Sequence, residues 1–234
     1  MRISIMQPYV FPYIGYFHLI QSSDFFVFYD DVNFIKKGWI NRNRILLDNS
    51  DFLFSVPVSK ASQNVAINQI ELAINDHWRS KFYKTLERAY VKAPVYDDVF
   101  PLIKSVFDRE HKYISDLAIS SISSVYSYLD ISFEFARSSI FSPETKGLDK
   151  ADRLIEIVKK LGGDQYVNTE GGRDLYSENY FKESGVELYF LSSSEIEYRQ
   201  FINAFTPSLS IIDVLMFNKS STIKTLLTQY ELVK

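Results

Sequence analysis

The sequence has no cysteine among its 234 residues. Disulfides, thiolate metal sites and a cysteine nucleophile are therefore excluded. Only three histidines are present, at positions 18, 77 and 111, and no two of them are spaced i, i+4. A histidine-rich metal site is not expected, although carboxylates could still hold a divalent ion. We expect no bound cofactor.

Long apolar runs and a strong charge of one sign are also missing. No stretch approaches the roughly 20 apolar residues of a membrane span, and no signal peptide is recognisable at the N-terminus. The net charge of -3 gives no general attraction to nucleic acid or to an anionic membrane. The fingerprints GxGxxG, GxSxG and HExxH are absent. We expect a cytoplasmic protein that binds no DNA and does not insert into membranes.

Aromatic residues, in contrast, are abundant, with 16 Tyr and 19 Phe. Tyrosine joins apolar area to a hydroxyl group, so part of this excess is expected to line a cleft for a partly polar ligand. The chain opens with a short strand over 2–7 that runs into Pro8, a helix over 14–21 and a buried apolar strand over 24–29. This strand-helix-strand order is the βαβ pattern of α/β proteins.

The remaining pattern extends the same architecture. Candidate hairpin strands lie at 45–47 and 52–58, and further strands are predicted at 67–72, 164–167 and 186–191. Helical periodicity occurs at 78–90, within 99–129, at 154–161, from 208 onward, and as an amphipathic helix from Ser221 to Leu232. We predict a single α/β domain over residues 1–234. It has a Rossmann-like, mostly parallel sheet flanked by helices, with a small β-rich insertion around residues 45–75.

The first candidate site is the stretch QPYVFPYIGYFH, residues 7–18. A proline-stiffened turn after the first strand would lie at the carboxyl end of that strand, where open parallel sheets bind ligands. The polar side chains that could then face a ligand are Gln7, Tyr9, Tyr13, Tyr16 and His18. Composition alone favours the alternative, in which these rings fill space between helix and sheet.

The second candidate is the pair Asp30 and Asp31, directly after the second strand. One of two adjacent aspartates at a strand end can face a cleft, where its carboxylate could orient an amine, accept a proton or bind a metal. Aspartate is also common in turns, and the two interpretations have similar weight.

The third candidate is the basic segment KKGWINRNR, residues 36–44. Arginine offers a bidentate fork and lysine a point charge to a phosphate or a carboxylate. Charge runs are usually solvated loops, but Trp39 and the paired asparagines are poor choices for such a loop. The candidate ligand-binding residues are Lys36, Trp39, Asn41, Arg42, Asn43 and Arg44.

The fourth candidate is the turn NTEGGR, residues 168–173. A Gly171-Gly172 turn can expose backbone N–H groups to an anion, and Tyr176 follows closely. Glycine pairs are common in ordinary turns, so the structural interpretation leads here.

Together these stretches resemble one protein family. The strings MQPYVFPYIGYFHLI, FVFYDDVNFIKKGWINRNRI, RLIEIVKKLGGDQYVNTEGG and FTPSLSIIDVLMFN are similar to the WbqC-like family, and the likeness runs nearly from end to end. The family tends to have Cys-Gly after its final Phe-Asn, whereas this chain has Lys219-Ser220. That difference argues against an obligatory cysteine nucleophile.

The resemblance implies a role in bacterial O-antigen or other surface-polysaccharide synthesis. The implied activity is transfer of an acyl or aminoacyl group, such as glycine, to the amino group of a nucleotide-linked sugar. The activated donor could be a thioester on a carrier protein, an aminoacyl-tRNA or an adenylate. The alternatives are a non-catalytic sugar-nucleotide-binding or assembly protein and a nucleotidyltransferase-like enzyme.

Because cysteine is absent, we expect the sugar amine to attack the donor directly. This mechanism assigns base and amine-orienting roles to Asp30 or Asp31 with His18. We assign phosphate binding to Lys36, Arg42 and Arg44. Polarisation of the acyl carbonyl is assigned to Asn41 and Asn43. Stacking on the base or the sugar is assigned to Tyr9, Tyr13 and Trp39.

Overall fold

Six strands of the chain form its main sheet. The computed structural model describes residues 1–201 and 204–234. In chain order the strands are β1 (Arg2–Met6), β2 (Phe25–Phe28), β3 (Arg42–Leu47), β4 (Ser50–Ser55), β5 (Phe135–Arg137), β6 (Gln165–Thr169), β7 (Glu187–Ser193) and β8 (Tyr230–Val233). The main sheet has the order β5-β2-β1-β6-β7-β8, while β3 and β4 form a separate sheet. Neighbours from β5 to β7 are parallel, and β8 is antiparallel to β7. The predicted α/β fold with a mostly parallel sheet is confirmed.

Helices cover both faces of this sheet. They are α1 (Ile14–Gln21), α2 (Asp76–Tyr90), α3 (Tyr96–Asp108), α4 (Ile114–Tyr128), α5 (Ser138–Phe141), α6 (Lys150–Lys160), α7 (Glu178–Glu183), α8 (Ile211–Phe217) and α9 (Ser220–Leu226). Short 3-10 helices lie at Ile67–Gln69, Pro143–Thr145 and Glu170–Leu175. Among the described residues, no helix is long and apolar enough to cross a membrane.

Alternation along the strands divides the core into two layers. Ile3 and Ile5 of β1 belong to a cluster with residues of α6 and α7. Phe26 and Phe28 of β2 belong to the larger cluster, which includes residues of α1, α3, α4 and α8. A strand buried on both faces is apolar at nearly every position, which explains the continuous run FFVF of β2.

The insertion is a tight β-hairpin. Strands β3 and β4 pair from Arg42↔Ser55 to Leu47↔Ser50, so the loop consists of Asp48 and Asn49. Both loop residues have positive φ, at 50° and 63°, as a type I′ turn requires and as Asp and Asn tolerate. The hairpin predicted at 45–47 and 52–58 therefore exists, but it begins and ends three residues earlier than the sequence pattern indicated.

Two predicted elements are wrong. Residues 67–72 were expected to form a strand, but only a 3-10 helix is present, followed by isolated bridges from Glu71 to Tyr113 and from Leu72 to Val58. The amphipathic helix predicted from Ser221 to Leu232 ends at Leu226, and the chain then turns into β8. Leu232 pairs with Leu191 of β7, so its apolar character reflects a sheet position and not a helical face.

Candidate functional site

The carboxyl edge of the main sheet brings the candidate segments to one side of the molecule. From β1 the chain continues to β2 on one side, while β6 and β7 lie on the other side of β1. Such a reversal creates a crevice beyond the carboxyl ends of the strands, where ligands of open α/β sheets bind. The turn after β1, the aspartates after β2 and the glycine pair after β6 all lie at this edge.

The turn after β1 is strained and held in place by distant residues. Phe11 is fully buried and has φ +42°, a conformation that is unfavourable for a bulky residue. Its N–H donates to Ser121 Oγ at 2.9 Å. Its carbonyl accepts from Asn43 Nδ2 and from Ser210 Oγ, each at 2.6 Å. Three other segments of the chain therefore fix the position of Pro12 and Tyr13.

The tyrosines of the opening stretch have different roles. Tyr16 is buried, and its hydroxyl donates to the Gln7 carbonyl at 2.8 Å, so it supports the turn from inside the core. Tyr9 is half-buried, donates to Gln7 Oε1 at 3.4 Å and packs against Tyr16. Tyr13 is 40% exposed. A Cβ at Gly15 would lie 2.3 Å from the Tyr13 ring, so this glycine gives the ring its place over the start of α1.

A cavity of about 320 Å³ joins this turn to the basic segment, and we call it the arginine cavity. It is lined by Tyr9, Pro12, Tyr13, Trp39, Asn43, Arg44 and Ser208. Trp39 is 46% exposed, and the guanidinium groups of Arg42 and Arg44 lie 5.9 and 5.6 Å from its ring centroid. The structure thus brings the first and third predicted clusters together.

The two arginines retain donors for a ligand. Arg44 pairs with Asp51 at 3.2 Å, but its buried Nε has no hydrogen-bond partner among the described residues. Arg42 donates from Nε to the Gly38 carbonyl, and its terminal nitrogens have no partner in the described part of the chain. Arg42 lies beside the cavity, next to the Trp39 ring, without lining it. Lys36 is exposed on the preceding loop and does not line the arginine cavity either.

The asparagines of this segment are occupied by main-chain groups. Asn41 Nδ2 donates to the Val56 carbonyl at 2.8 Å. Asn43 Nδ2 donates to the carbonyls of Val10 and Phe11, and its Oδ1 accepts from the Arg44 N–H. The amide of Asn43 is therefore committed to holding the turn, although its side chain borders the arginine cavity.

Asp30 and Asp31 are part of a buried network that we call the aspartate cluster, formed with Ser138, Ser139 and Arg153. Asp30 is fully buried and accepts from the hydroxyl and the N–H of Ser139, while the Ser138 hydroxyl lies 2.5 Å from Asp31 Oδ1 and 3.3 Å from Asp30 Oδ1. Asp31 forms an ion pair with Arg153 at 2.6 Å, with both side chains nearly fully buried. Burial raises the pKa of Asp30, opposed by the hydrogen bonds from Ser139. The cluster joins β2 to α5 and α6, and neither aspartate lines the arginine cavity.

The glycine turn lies beside the end of β6. Gly172 packs on Asn168, because an added Cβ would lie 2.3 Å from the Asn168 amide nitrogen, while Gly171 faces open space. Arg173 lies over Phe190 and donates to the carbonyl of Lys234. Tyr176 packs edge-on against Phe181 of α7. None of these side chains lines the arginine cavity.

A second cavity, of about 500 Å³, begins on the other side of Tyr13, and we call it the serine cavity. It shares Tyr13 and Ser208 with the arginine cavity, and its other lining residues are Ile14, Ser193, Ser194, Glu195, Ile196, Glu197, Phe205 and Pro207. The sequence pattern gave no signal for this cavity, because its residues follow β7 as an irregular polar segment. The two cavities form one cleft around Tyr13.

His18 lies in the core behind Ser193, a residue that lines the serine cavity, and is separated from the aspartates. It is fully buried on α1, with Nε2 at 2.9 Å from the Leu226 carbonyl and Nδ1 at 3.2 Å from Ser193 Oγ. Burial lowers the pKa of His18, opposed by the hydrogen bond to Leu226. Its partners come from β7 and α9, whereas Asp30 is bound near β5 at the far side of the sheet. The predicted pairing of His18 with the aspartates is therefore wrong in its geometry.

Asp213 fixes the wall of the serine cavity. This buried carboxylate accepts from Tyr90 at 2.7 Å, from Tyr198 at 2.6 Å and from Gln200 Nε2 at 2.8 Å. Burial raises its pKa above the ordinary value. Because Tyr198 and Gln200 follow the cavity residues directly, Asp213 ties this segment to α8.

No group of three His, Asp or Glu side chains that could hold a metal ion occurs in residues 1–201 and 204–234. Arginine, aromatic, hydroxyl and carboxylate side chains line the cleft, and the imidazole of His18 lies behind Ser193.

Comparison with known proteins assigns the family. A model of the WbqC-like protein family matches residues 7–225. The chain is 27% identical over 219 residues to "Uncharacterized protein Rv1507c" of Mycobacterium tuberculosis, and the alignment covers 93% of each chain. No solved structure shows significant similarity. Since the family model spans almost the entire sequence, including both cavities and the aspartate cluster, the chain belongs to the WbqC-like protein family.

Proposed function

We propose that this protein is an acyl- or aminoacyltransferase that forms an amide on a nucleotide-linked amino sugar during bacterial surface-polysaccharide synthesis. The arginine cavity carries the proposal. It combines two aromatic surfaces with guanidinium donors at the carboxyl edge of an α/β sheet.

The diphosphate of such a substrate suits the two arginines. Guanidinium groups bind phosphate oxygens through bidentate, charge-assisted hydrogen bonds. The terminal nitrogens of Arg42 have no partner among the described residues, so phosphate contacts would satisfy them without breaking an existing ion pair. Arg44 lines the cavity and pairs with the half-exposed Asp51, so a phosphate would compete with that surface ion pair for its guanidinium.

The rings of Tyr13 and Trp39 suit the base or the sugar. Each is more than one-third exposed at the cavity, and a flat ring offers a stacking surface with little loss of conformational entropy. The serine cavity beyond Tyr13 offers serine hydroxyls and the carboxylates of Glu195 and Glu197 to sugar hydroxyls and to an amine.

Calorimetric titration with a UDP- or dTDP-linked amino sugar tests the proposal. We expect saturable binding to the wild type. The variants Arg42→Ala and Arg44→Ala should each bind at least about 10-fold more weakly, because a hydrogen bond to a charged group contributes about 1.5–3 kcal/mol.

Arg88→Ala is the matched control. Arg88 is an exposed arginine of α2 that pairs with Asp48 in the turn of the same hairpin, outside both cavities. Affinity that is unchanged in Arg42→Ala or Arg44→Ala would remove that arginine from phosphate binding. An absence of binding to the wild type would reject the substrate class.

A non-catalytic sugar-nucleotide-binding protein is the second candidate. The aspartate cluster favours it, because Asp30 and Asp31 are engaged by serines and Arg153 and are poorly placed to act as a base. This alternative predicts ligand binding without amide formation, whether a carrier-bound, tRNA-bound or adenylate donor is supplied.

A further inference from the structure

Ser193 and His18 form a hydrogen-bonded pair at the edge of the serine cavity. Ser193 is the last residue of β7, is exposed and lines the cavity. His18 lies behind it on α1, with Nδ1 at 3.2 Å from the hydroxyl oxygen. This separation is within the reach expected between a nucleophile and its general base.

The second ring nitrogen defines the tautomer of His18. The Leu226 carbonyl can only accept a hydrogen bond, so Nε2 at 2.9 Å must carry the proton. In the neutral ring Nδ1 is then unprotonated and accepts the hydroxyl proton of Ser193. Serine acyl-transfer enzymes combine a nucleophile, a base and a third group that orients the base. Here the third group is the main-chain carbonyl of Leu226.

The surroundings keep the imidazole neutral and fixed. His18 is fully buried, and the ring of Tyr230 lies 5.9 Å from it on β8. Burial lowers the pKa of His18, so the basic form predominates at neutral pH. The imidazole therefore does not have to lose a proton before it can accept one from Ser193.

The start of α1 lies at the same cavity as Ser193, and of its first N–H groups that of Tyr16 already donates to the Tyr13 carbonyl at 3.0 Å. The helix has no capping side chain, and Tyr13 and Ile14 at its start line the same cavity as Ser193. Unsatisfied N–H groups and the positive end of the helix dipole stabilise negative charge that develops on a carbonyl oxygen.

We propose that Ser193 is the acyl-accepting nucleophile of this protein and that His18 is its general base. This inference rests on the proposed acyl-transfer function and replaces direct attack by the sugar amine with a covalent intermediate. The absence of cysteine does not exclude this route, because a hydroxyl group activated by imidazole can also carry the acyl group.

Both half-reactions balance without a cofactor. Ser193 Oγ forms a bond to the acyl carbon of a thioester or ester donor, while its proton passes to His18 Nδ1. The bond to the leaving group then breaks, and the leaving group takes the proton from His18. In the second step the acceptor amine attacks the seryl ester and transfers a proton to His18. The new amide is released as Ser193 Oγ regains that proton.

Acylation by p-nitrophenyl acetate, followed by intact mass and peptide mapping, tests the pair. We expect the full-length wild type to gain one acetyl group on the peptide that contains Ser193. Ser193→Ala should lose this labelling, and His18→Asn should slow it by about 100-fold or more, as loss of a general base does.

Three further variants make the outcome specific. Ser192→Ala changes the neighbouring residue, whose side chain points to the other face of β7, and it should be labelled like the wild type. Ser193→Cys should recover labelling. Because His18 is buried and forms two hydrogen bonds in the core, His18→Gln is tested as well and thermal unfolding is recorded for every variant. If neither histidine variant folds, the exposed Ser193 variants decide the question.

The outcomes separate this inference from the proposed function. A wild type that binds the sugar nucleotide but is not acetylated, or that is acetylated equally in Ser193→Ala, overturns the serine nucleophile and leaves the substrate assignment in place. Acetylation of Ser193 in a protein that binds no sugar nucleotide supports the pair and rejects the proposed acceptor.

Discussion

Two polar regions at the carboxyl edge of the main sheet use their charged groups differently. In the aspartate cluster each carboxylate is buried, and its oxygens accept from serine or arginine donors. At the arginine cavity, the terminal nitrogens of the adjacent Arg42 and the Nε of Arg44 have no partner in the described residues, and Trp39 and Tyr13 remain partly exposed. The first region is closed by its own side chains, whereas the second has unused hydrogen-bonding capacity next to a cavity. Both regions contain charged side chains next to a strand, so burial and partners distinguish a structural network from a ligand site.

Loss of the buried ion pair should have the largest effect on stability. Asp31→Ala leaves the Arg153 guanidinium buried without its carboxylate, and we expect a loss of about 3–5 kcal/mol in the free energy of unfolding. Urea denaturation measures it. The double variant Asp31→Asn with Arg153→Met should recover much of the loss, because no unpaired charge remains. If the free energy of unfolding of Asp31→Ala differed from that of the wild type by less than about 1 kcal/mol, the ion pair would behave like an exposed surface pair and not like a buried structural one.

The Asp213 network should show an intermediate effect. In Asp213→Asn the amide nitrogen would face the donors of Gln200 or Tyr90, and we expect a destabilisation of about 1–3 kcal/mol. Hydrogen exchange should increase in peptides from residues 194–201, which border the serine cavity. Tyr198→Phe removes one donor and should cost less. Unchanged exchange in Asp213→Asn would show that this carboxylate does not hold the cavity wall.

Substitution of Trp39 should affect binding with little change in stability. Trp39→Ala removes an exposed stacking surface, so affinity for the sugar nucleotide should fall by about 10-fold, as loss of one base-aromatic contact does. Trp39→Phe should retain part of the affinity. Ile140→Ala, an exposed apolar residue of α5 beside the aspartate cluster, is the control. If Trp39→Ala and Ile140→Ala bound the sugar nucleotide equally well, the arginine cavity would not be distinguished from the aspartate cluster as a ligand site.

The smallest expected effect is on the pH dependence of stability. The pKa of His18 in the folded protein is lowered by burial, while Ser193, the Leu226 carbonyl and Tyr230 face its ring. The unfolded chain therefore binds the proton more readily. This contribution to stability is complete above the ordinary pKa of 6.5 and is lost as the pH falls through the lower, folded pKa.

Chemical denaturation of wild type and His18→Asn between pH 8 and about pH 5 measures this dependence. The difference between the two proteins should shrink on acidification, and taking that difference removes the contribution of His77 and His111. A difference that is constant with pH would show that His18 keeps its ordinary pKa.

Much of the sheet could be predicted from sequence because its signals are local. The apolar run of β2 and the prolines after β1 identify a strand and its end without reference to other parts of the chain. Tyr13 follows β1 at the carboxyl edge of the sheet, as the strand pattern indicated, but Trp39 precedes β3 and Arg44 lies within it, so their place at the same cavity depends on how the hairpin packs against the turn. The burial of individual side chains could not be predicted from the sequence pattern. Tyr16 and Tyr13 look alike in sequence, and only packing shows that the first is buried and the second exposed.

The Ser193–His18 pair could not have been found in this way. Its members are 175 residues apart, and three consecutive serines at the end of a strand form no recognisable motif. The helix predicted from Ser221 to Leu232 is wrong in its last part for a related reason. Ile223, Leu226, Leu227 and Tyr230 have the i, i+3, i+4, i+7 spacing of a helix, but pairing with β7, which depends on distant sequence, makes the last part a strand.

The strained turn at Phe11 has a consequence for the order in which the molecule assembles. The bonds that hold it join residues separated by 32, 110 and 199 positions, so β3, α4 and α8 must all be in place before the turn is secured. Contacts of such long range form late, and a strained segment is released early when its supports weaken. Ligand affinity at the arginine cavity should therefore disappear before the parallel sheet melts, which makes binding a sensitive readout of complete folding.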